Sequence, residues 1–150
     1  MDLILWRHAE AHPGEPDLDR RLTAKGQKQA ARMAKWLDSR LPATCRMLVS
    51  PARRAQQTAL ALERKFKTRD ELAPGAPAAA ILAAARWPDR RDVVLVVGHQ
   101  PALGNVAALL LAGADVEWSI PKGAIWWLTN RERAHGPEVV LRVAMAPNFA

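Results

Sequence analysis

Short uninterrupted apolar runs alternate with longer amphipathic stretches along this chain. Leu3-Ile4-Leu5-Trp6 is apolar throughout and breaks off at Arg7-His8. Met47-Leu48-Val49 ends in the same way at Ser50-Pro51. Val93-Val94-Leu95-Val96-Val97, all β-branched or leucine, runs through Gly98 into His99. Runs of this kind predict strands covered on both faces, as in parallel sheets. Between the first two, Ala30, Ala34, Leu37 and Leu41 recur at helical spacing behind Thr23, a suitable N-cap. Ala55, Ala59, Leu62 and Phe66 stripe a second helix, with Ser50 and Pro51 expected as its N-cap and first residue. Ile81, Leu82 and Ala85 predict a short third helix. A fourth opens at Pro101 and carries Leu103, Val106, Ala107, Leu110 and Leu111 on one face. Two more strands are expected near 123–129 and 138–145, around a polar turn at 130–137. The stretch from His12 to Arg21, with two prolines and a glycine, reads as a loop, and residues 68–77 as a connection.

The resulting order, β-α-β-α-(α)-β-α-β-β, predicts an α/β protein. The expected architecture is a three-layer α/β/α sandwich around a mainly parallel, mixed sheet, in one domain spanning 1–150. Apolar residues make up 49% of the chain, enough for a sizeable core. No apolar stretch approaches the roughly 20 residues needed to span a bilayer, so no membrane partner is expected. The N-terminal apolar run is too short for a secretory signal. Cys45 is the single cysteine, which excludes an intrachain disulfide and a cysteine-based metal cage. The expected compartment is the cytoplasm. The formal charge of +7 is compatible with an anionic partner or with solvated helix faces. No basic run is interleaved with aromatics as a nucleic-acid stacking surface requires, so a nucleic-acid partner is not expected.

Three strand-to-helix junctions carry the candidate chemistry. The first holds Arg7 and His8, the second Ser50 through Arg54, and the third Gly98-His99-Gln100-Pro101. Parallel neighbouring strands would bring all three to one sheet edge, where ligands bind in open α/β sheets. Helix N-termini there favour an anion. Arginine suits phosphate because its planar fork makes paired hydrogen bonds and keeps its charge. A neutral imidazole nitrogen can act as a nucleophile toward phosphorus. Zinc is not expected at His8 and His99, which would have cationic neighbours and no third ligand at usual spacing.

These segments resemble the histidine phosphatase superfamily. Leu5-Trp6-Arg7-His8-Ala9-Glu10-Ala11 is similar to its Arg-His-Gly signature, and Arg20-Arg21-Leu22-Thr23-Ala24-Lys25-Gly26 to its Leu-Thr-x-x-Gly helix start. Ser50-Pro51-Ala52-Arg53-Arg54-Ala55-Gln56-Gln57-Thr58 resembles its Ser-Pro-x-x-Arg-Ala-x-Gln-Thr motif, and Val97-Gly98-His99 its second histidine motif. The small size and the Glu71-Leu72-Ala73-Pro74-Gly75 stretch resemble the phosphohistidine phosphatase branch, the SixA-like proteins. The resemblance implies a phosphoglycerate mutase-like fold and a phosphatase working without metal or other cofactor. It implies His8 as the transiently phosphorylated nucleophile. Arg7, Arg54 and His99 would hold the phosphoryl group, with Arg20 as a further substrate-binding residue and Arg21 its less favoured substitute. The implied substrate is phosphohistidine in a protein.

Two positions depart from the family pattern. Ala9 replaces the usual glycine, which is tolerable if the backbone needs no positive φ. The glutamate that protonates alkoxide leaving groups in larger members has no clear counterpart. Glu71, Glu10, Asp17 and Asp19 are weak candidates. An alkoxide needs a proton on departure, whereas an imidazole, whose conjugate acid has a pKa of about 6.5, needs little help. A small-molecule phosphomonoesterase of the same superfamily and a non-catalytic phosphate-binding module stand as alternatives.

Overall fold

The computed structural model describes residues 1–150. Its strands are β1 (Asp2–Arg7), β2 (Arg46–Val49), β3 (Lys67–Thr68), β4 (Val93–Gly98), β5 (Ile125–Arg133) and β6 (Gly136–Met145). Its helices are α1 (Ala24–Asp38), α2 (Arg53–Leu60), α3 (Ala78–Ala85) and α4 (Ala102–Ala112). The strands form one sheet in the order β3-β2-β4-β1-β5-β6. The pairs β3–β2, β2–β4 and β4–β1 are parallel, and β1–β5 and β5–β6 antiparallel. This is the expected α/β sandwich on a mainly parallel mixed sheet.

The apolar runs are continuous because both sheet faces are covered. Leu3, Leu5, Leu48, Val94 and Val96 join Ile81 of α3 and Leu103 and Val106 of α4 in one core cluster. Their alternating neighbours Ile4, Trp6, Met47, Val49, Leu95 and Val97 join Met33 and Leu37 of α1 and Ala55 and Ala59 of α2 in the other. Each valine, leucine, isoleucine or methionine among them, fully buried, contributes about 1.5–3 kcal/mol. No helix is long and apolar enough to cross a membrane.

Helix α1 starts as its sequence predicts: the Thr23 hydroxyl accepts the Gly26 N–H at 2.9 Å. Gly26 is required by close approach, since a Cβ there would overlap the Glu10 carbonyl oxygen. The first turn of α1 is therefore pressed against the loop that follows β1.

Three local expectations need correction. Helix α2 begins at Arg53, with Ala52 and not Ser50 as its N-cap, and Pro51 lies outside it. The Ser50 hydroxyl accepts the Ala52 N–H at 3.2 Å but is held more closely, at 2.7 Å, by a partner far away in sequence, His99. The helix also stops at Leu60, well short of Phe66. Glu63 adopts φ 54°, which turns the chain out of the helix, while Leu62 keeps a buried place in the core. Finally, Lys67–Thr68 adds an edge strand at the start of the expected connection. Two exposed polar residues carry no apolar alternation that could announce a strand.

Candidate active site

Strand register assembles the site. Arg7 lies beside Gly98 across β1–β4, and Val49 beside Val97 across β2–β4. His8, Ser50 and His99 therefore leave the sheet together at one edge. The His8 N–H bonds the Gly98 carbonyl at 3.1 Å and the Ser50 N–H the Val97 carbonyl at 3.0 Å. The two imidazole centroids are 5.1 Å apart, and His8 and His99 are only 7% and 5% exposed.

Each side chain is held by identifiable partners. His8 Nδ1 lies 2.8 Å from the Ala9 carbonyl, which can only accept, so Nδ1 carries the proton and Nε2 the lone pair. Arg54, in the first turn of α2 and 4% exposed, directs its Nε at His8 Nε2 from 3.3 Å. Its two terminal nitrogens donate to the Asp17 carbonyl at 2.9 Å and the Asp17 carboxylate at 3.2 Å. Arg20 reaches the same carboxylate at 3.1 Å and anchors its Nε on the His12 carbonyl at 2.7 Å. Arg7 donates through one terminal nitrogen to the Ile120 carbonyl at 2.9 Å. Arg7, His8, Arg54 and His99 thus come together, and Arg20 joins them through Asp17.

Sequence reasoning missed Ser50. Its buried hydroxyl is 2.7 Å from His99 Nε2 and already accepts the Ala52 N–H. The serine in the Ser-Pro-x-x-Arg segment was visible, but its local capping preference hid this longer-range contact. Two buried nitrogens have no protein partner, Arg7 Nε and His99 Nδ1. Unpaired buried groups of this kind cost about 1–3 kcal/mol each.

Ala9 fits without strain, because it is not among the non-glycine residues at positive φ. It is fully buried against Leu22 and Ala30, and its N–H donates to the Thr58 hydroxyl at 3.0 Å. Of the candidate acids, Glu71 is paired with Arg69 at 2.9 Å. Glu10 accepts the Thr23 hydroxyl at 2.8 Å, and Asp19 is exposed. Only Asp17 reaches the guanidinium cluster. Burial is the largest single influence and raises its pKa, but the hydrogen bonds and charges of Arg20 and Arg54 together outweigh it and hold the carboxyl below the usual carboxylate range. No group of three His, Cys, Asp or Glu side chains is placed to hold a metal ion.

Burial is the main reason both histidines stay neutral. It lowers His8 to about 4, aided by the charges of Arg54, Arg7 and Arg20 and opposed by the bond to Ala9. It lowers His99 to about 3, aided by His8, Arg54 and Arg7 and opposed by Asp17. The unfolded chain takes up these protons near pH 6.5, while the folded chain resists. Stability should be flat above about pH 7 and fall as pH drops from about 6.5 toward 4. Most carboxylates contribute only below about pH 4.5, so the upper part of this window reports the imidazoles. Urea unfolding midpoints across it provide the measurement; a constant midpoint would contradict buried neutral histidines.

Comparison with known proteins places this geometry. The family model described as the histidine phosphatase superfamily (branch 1) matches residues 3–75. A phosphohistidine phosphatase SixA homolog from Haemophilus influenzae is 32% identical over 126 residues, covering 73% of this chain and 77% of that protein. A structure of the protein histidine phosphatase SixA complexed with tungstate superposes with a TM-score of 0.75 at 25% identity, covering 99% of this chain and 98% of that one. The fold is also shared with a phosphoserine phosphatase from Entamoeba histolytica, with a TM-score of 0.72 at 17% identity, covering 97% of this chain and 96% of the other.

Proposed function

Since this chain belongs to the histidine phosphatase superfamily and to its SixA-like branch, we propose that it hydrolyses phosphohistidine in proteins through a transient phosphohistidine on His8. His8 Nε2 attacks phosphorus in line, and the N–P bond to the substrate imidazole breaks. That imidazole leaves neutral, having carried its proton on the other nitrogen. Water then attacks the phosphoryl group on His8, releasing inorganic phosphate and restoring the imidazole. Arg7, Arg54 and Arg20 neutralise the equatorial oxygens, the main requirement of phosphoryl transfer. His99 donates from Nδ1, which requires its Nε2 to accept. The Ser50 hydroxyl is the donor within reach of Nε2 and would fix that tautomer. The reaction is routed through no metal, and the expected compartment is the cytoplasm.

The observation that favours an N–P over an O–P substrate is the state of Asp17. Two guanidinium groups hold its carboxylate ionised, so it has no proton to give an alkoxide at neutral pH. An imidazole leaving group needs none. Parallel kinetics on phosphohistidine and phosphoserine, as free amino acids and in proteins, test the reading. The expected kcat/KM is at least about 100-fold higher for phosphohistidine, since a missing proton donor costs typically 10²–10⁴-fold on the ester. Faster hydrolysis of phosphoserine or a sugar phosphate would overturn it in favour of a small-molecule phosphomonoesterase. A non-catalytic phosphate-binding module would turn over neither.

A further inference from the structure

The charge of +7 is not spread evenly over the surface. Lys25, Lys28, Arg32 and Lys35 are exposed at i, i+3, i+7 and i+10, a single stripe along α1. None of them is within ion-pair distance of a carboxylate, and every ion pair in the molecule uses an arginine from elsewhere. Three of these cations, with Lys122 facing them, line a groove of about 600 Å³. Its one acidic wall residue, Glu10, is engaged by the Thr23 hydroxyl. Such a concentration of unpaired positive charge repels itself and is stabilised by an anionic partner.

The groove is built onto the catalytic edge. Glu10 lies two residues beyond His8, and Lys122 immediately precedes Gly123, whose N–H donates to the His8 carbonyl at 3.1 Å. Gly26 packs α1 onto the Glu10 carbonyl, while the Glu10 N–H bonds the Gln29 side chain at 2.9 Å. The stripe therefore starts at the rim of the site and runs outward for about 15 Å along α1. That reach exceeds a single phosphorylated metabolite and matches one secondary-structure element of a protein.

We propose that the α1 groove docks an acidic face of the phosphoprotein substrate, Asp and Glu side chains beside the phosphohistidine being read by Lys25, Lys28, Arg32 and Lys122. This rests on the phosphohistidine reading above and adds the kind of surface that presents it. Docking of this type acts mainly on the encounter, so it raises kcat/KM and is sensitive to salt.

The test uses the full chain and its K25E/K28E/R32E variant, in which acidic residues near the α1 N-terminus favour the helix dipole. The probes are a phosphohistidine peptide flanked by Asp and Glu, the same peptide with Asn and Gln in their place, and free phosphohistidine. The wild type should prefer the acidic peptide by about tenfold in kcat/KM at low salt, with the gap closing as salt approaches about 0.3 M. The variant should lose that preference and keep its rate on free phosphohistidine. Equal use of the two peptides by the wild type overturns the proposal. So does a preference that survives charge reversal, or an equal loss on free phosphohistidine. Fluorescence anisotropy of the unphosphorylated acidic peptide provides a readout independent of turnover. Salt-sensitive binding that the variant lacks supports the groove even if N–P hydrolysis fails, and undetectable binding to the wild type overturns it.

Discussion

His8→Ala should lose turnover of a phosphohistidine substrate by a factor on the order of 10⁴ or more, the scale on which removal of a covalent nucleophile acts. The expectation follows from one nitrogen. The Ala9 carbonyl fixes the proton on Nδ1, so the lone pair of Nε2 faces Arg54 and the open edge of the sheet. With its pKa lowered to about 4, His8 is protonated in only about one molecule in a thousand at pH 7. The nucleophile is thus ready without a separate base. Wild-type enzyme quenched in alkaline detergent should carry an acid-labile, base-stable phosphoryl group on His8, absent from the variant. Arg7, Arg54 and His99 are untouched by the change, so tungstate or phosphate should still bind within about tenfold of wild type. Circular dichroism separates loss of chemistry from loss of fold. Turnover retained by a folded His8→Ala protein would remove the covalent mechanism.

The positions of these residues were legible because the strands announce themselves. Each apolar run ends abruptly at Arg7-His8, Ser50 or Gly98-His99, and burial of both faces of a parallel sheet forces that uniform composition. Register then brings chain-distant junctions together. What was illegible depends on contacts across the fold. Asp17 lies in a proline-bounded loop and meets Arg54 across 37 positions of sequence, so nothing local distinguished it from Asp19 or Glu71. Ser50 was assigned by its local preference for an N-cap, whereas tertiary contact turned it toward His99. The sequence keeps a helical apolar spacing past Leu60, where α2 ends, because Leu62 packs in the core from a turn. The cations of α1 were visible as an ordinary solvated face. Only the folded chain shows that they lack carboxylate partners and flank the loop after His8.

Arg54 should be the second most sensitive position: alanine there is expected to lower kcat/KM on the order of 10³-fold, and lysine on the order of 10²-fold. One planar group faces His8 Nε2 through its Nε and spans both oxygen types of Asp17 through its terminal nitrogens. A lysine retains the charge but presents a point donor in place of that fork. The two substitutions differ in a way that a merely structural role would not produce. The Arg54 charge helps to lower both His8 and His99. Removing it in Arg54→Ala should let the acid limb of the kcat/KM profile rise toward neutrality, because His8 becomes easier to protonate and a protonated imidazole cannot attack. Arg54→Lys should leave that limb near its wild-type position while the plateau drops. The measurement is the pH dependence of kcat/KM from about pH 4 to 8 for all three proteins. Identical profiles in wild type and Arg54→Ala would detach Arg54 from the reacting imidazole. A full-rate Arg54→Lys enzyme would show that charge alone, and not the fork, stabilises the phosphoryl group in flight.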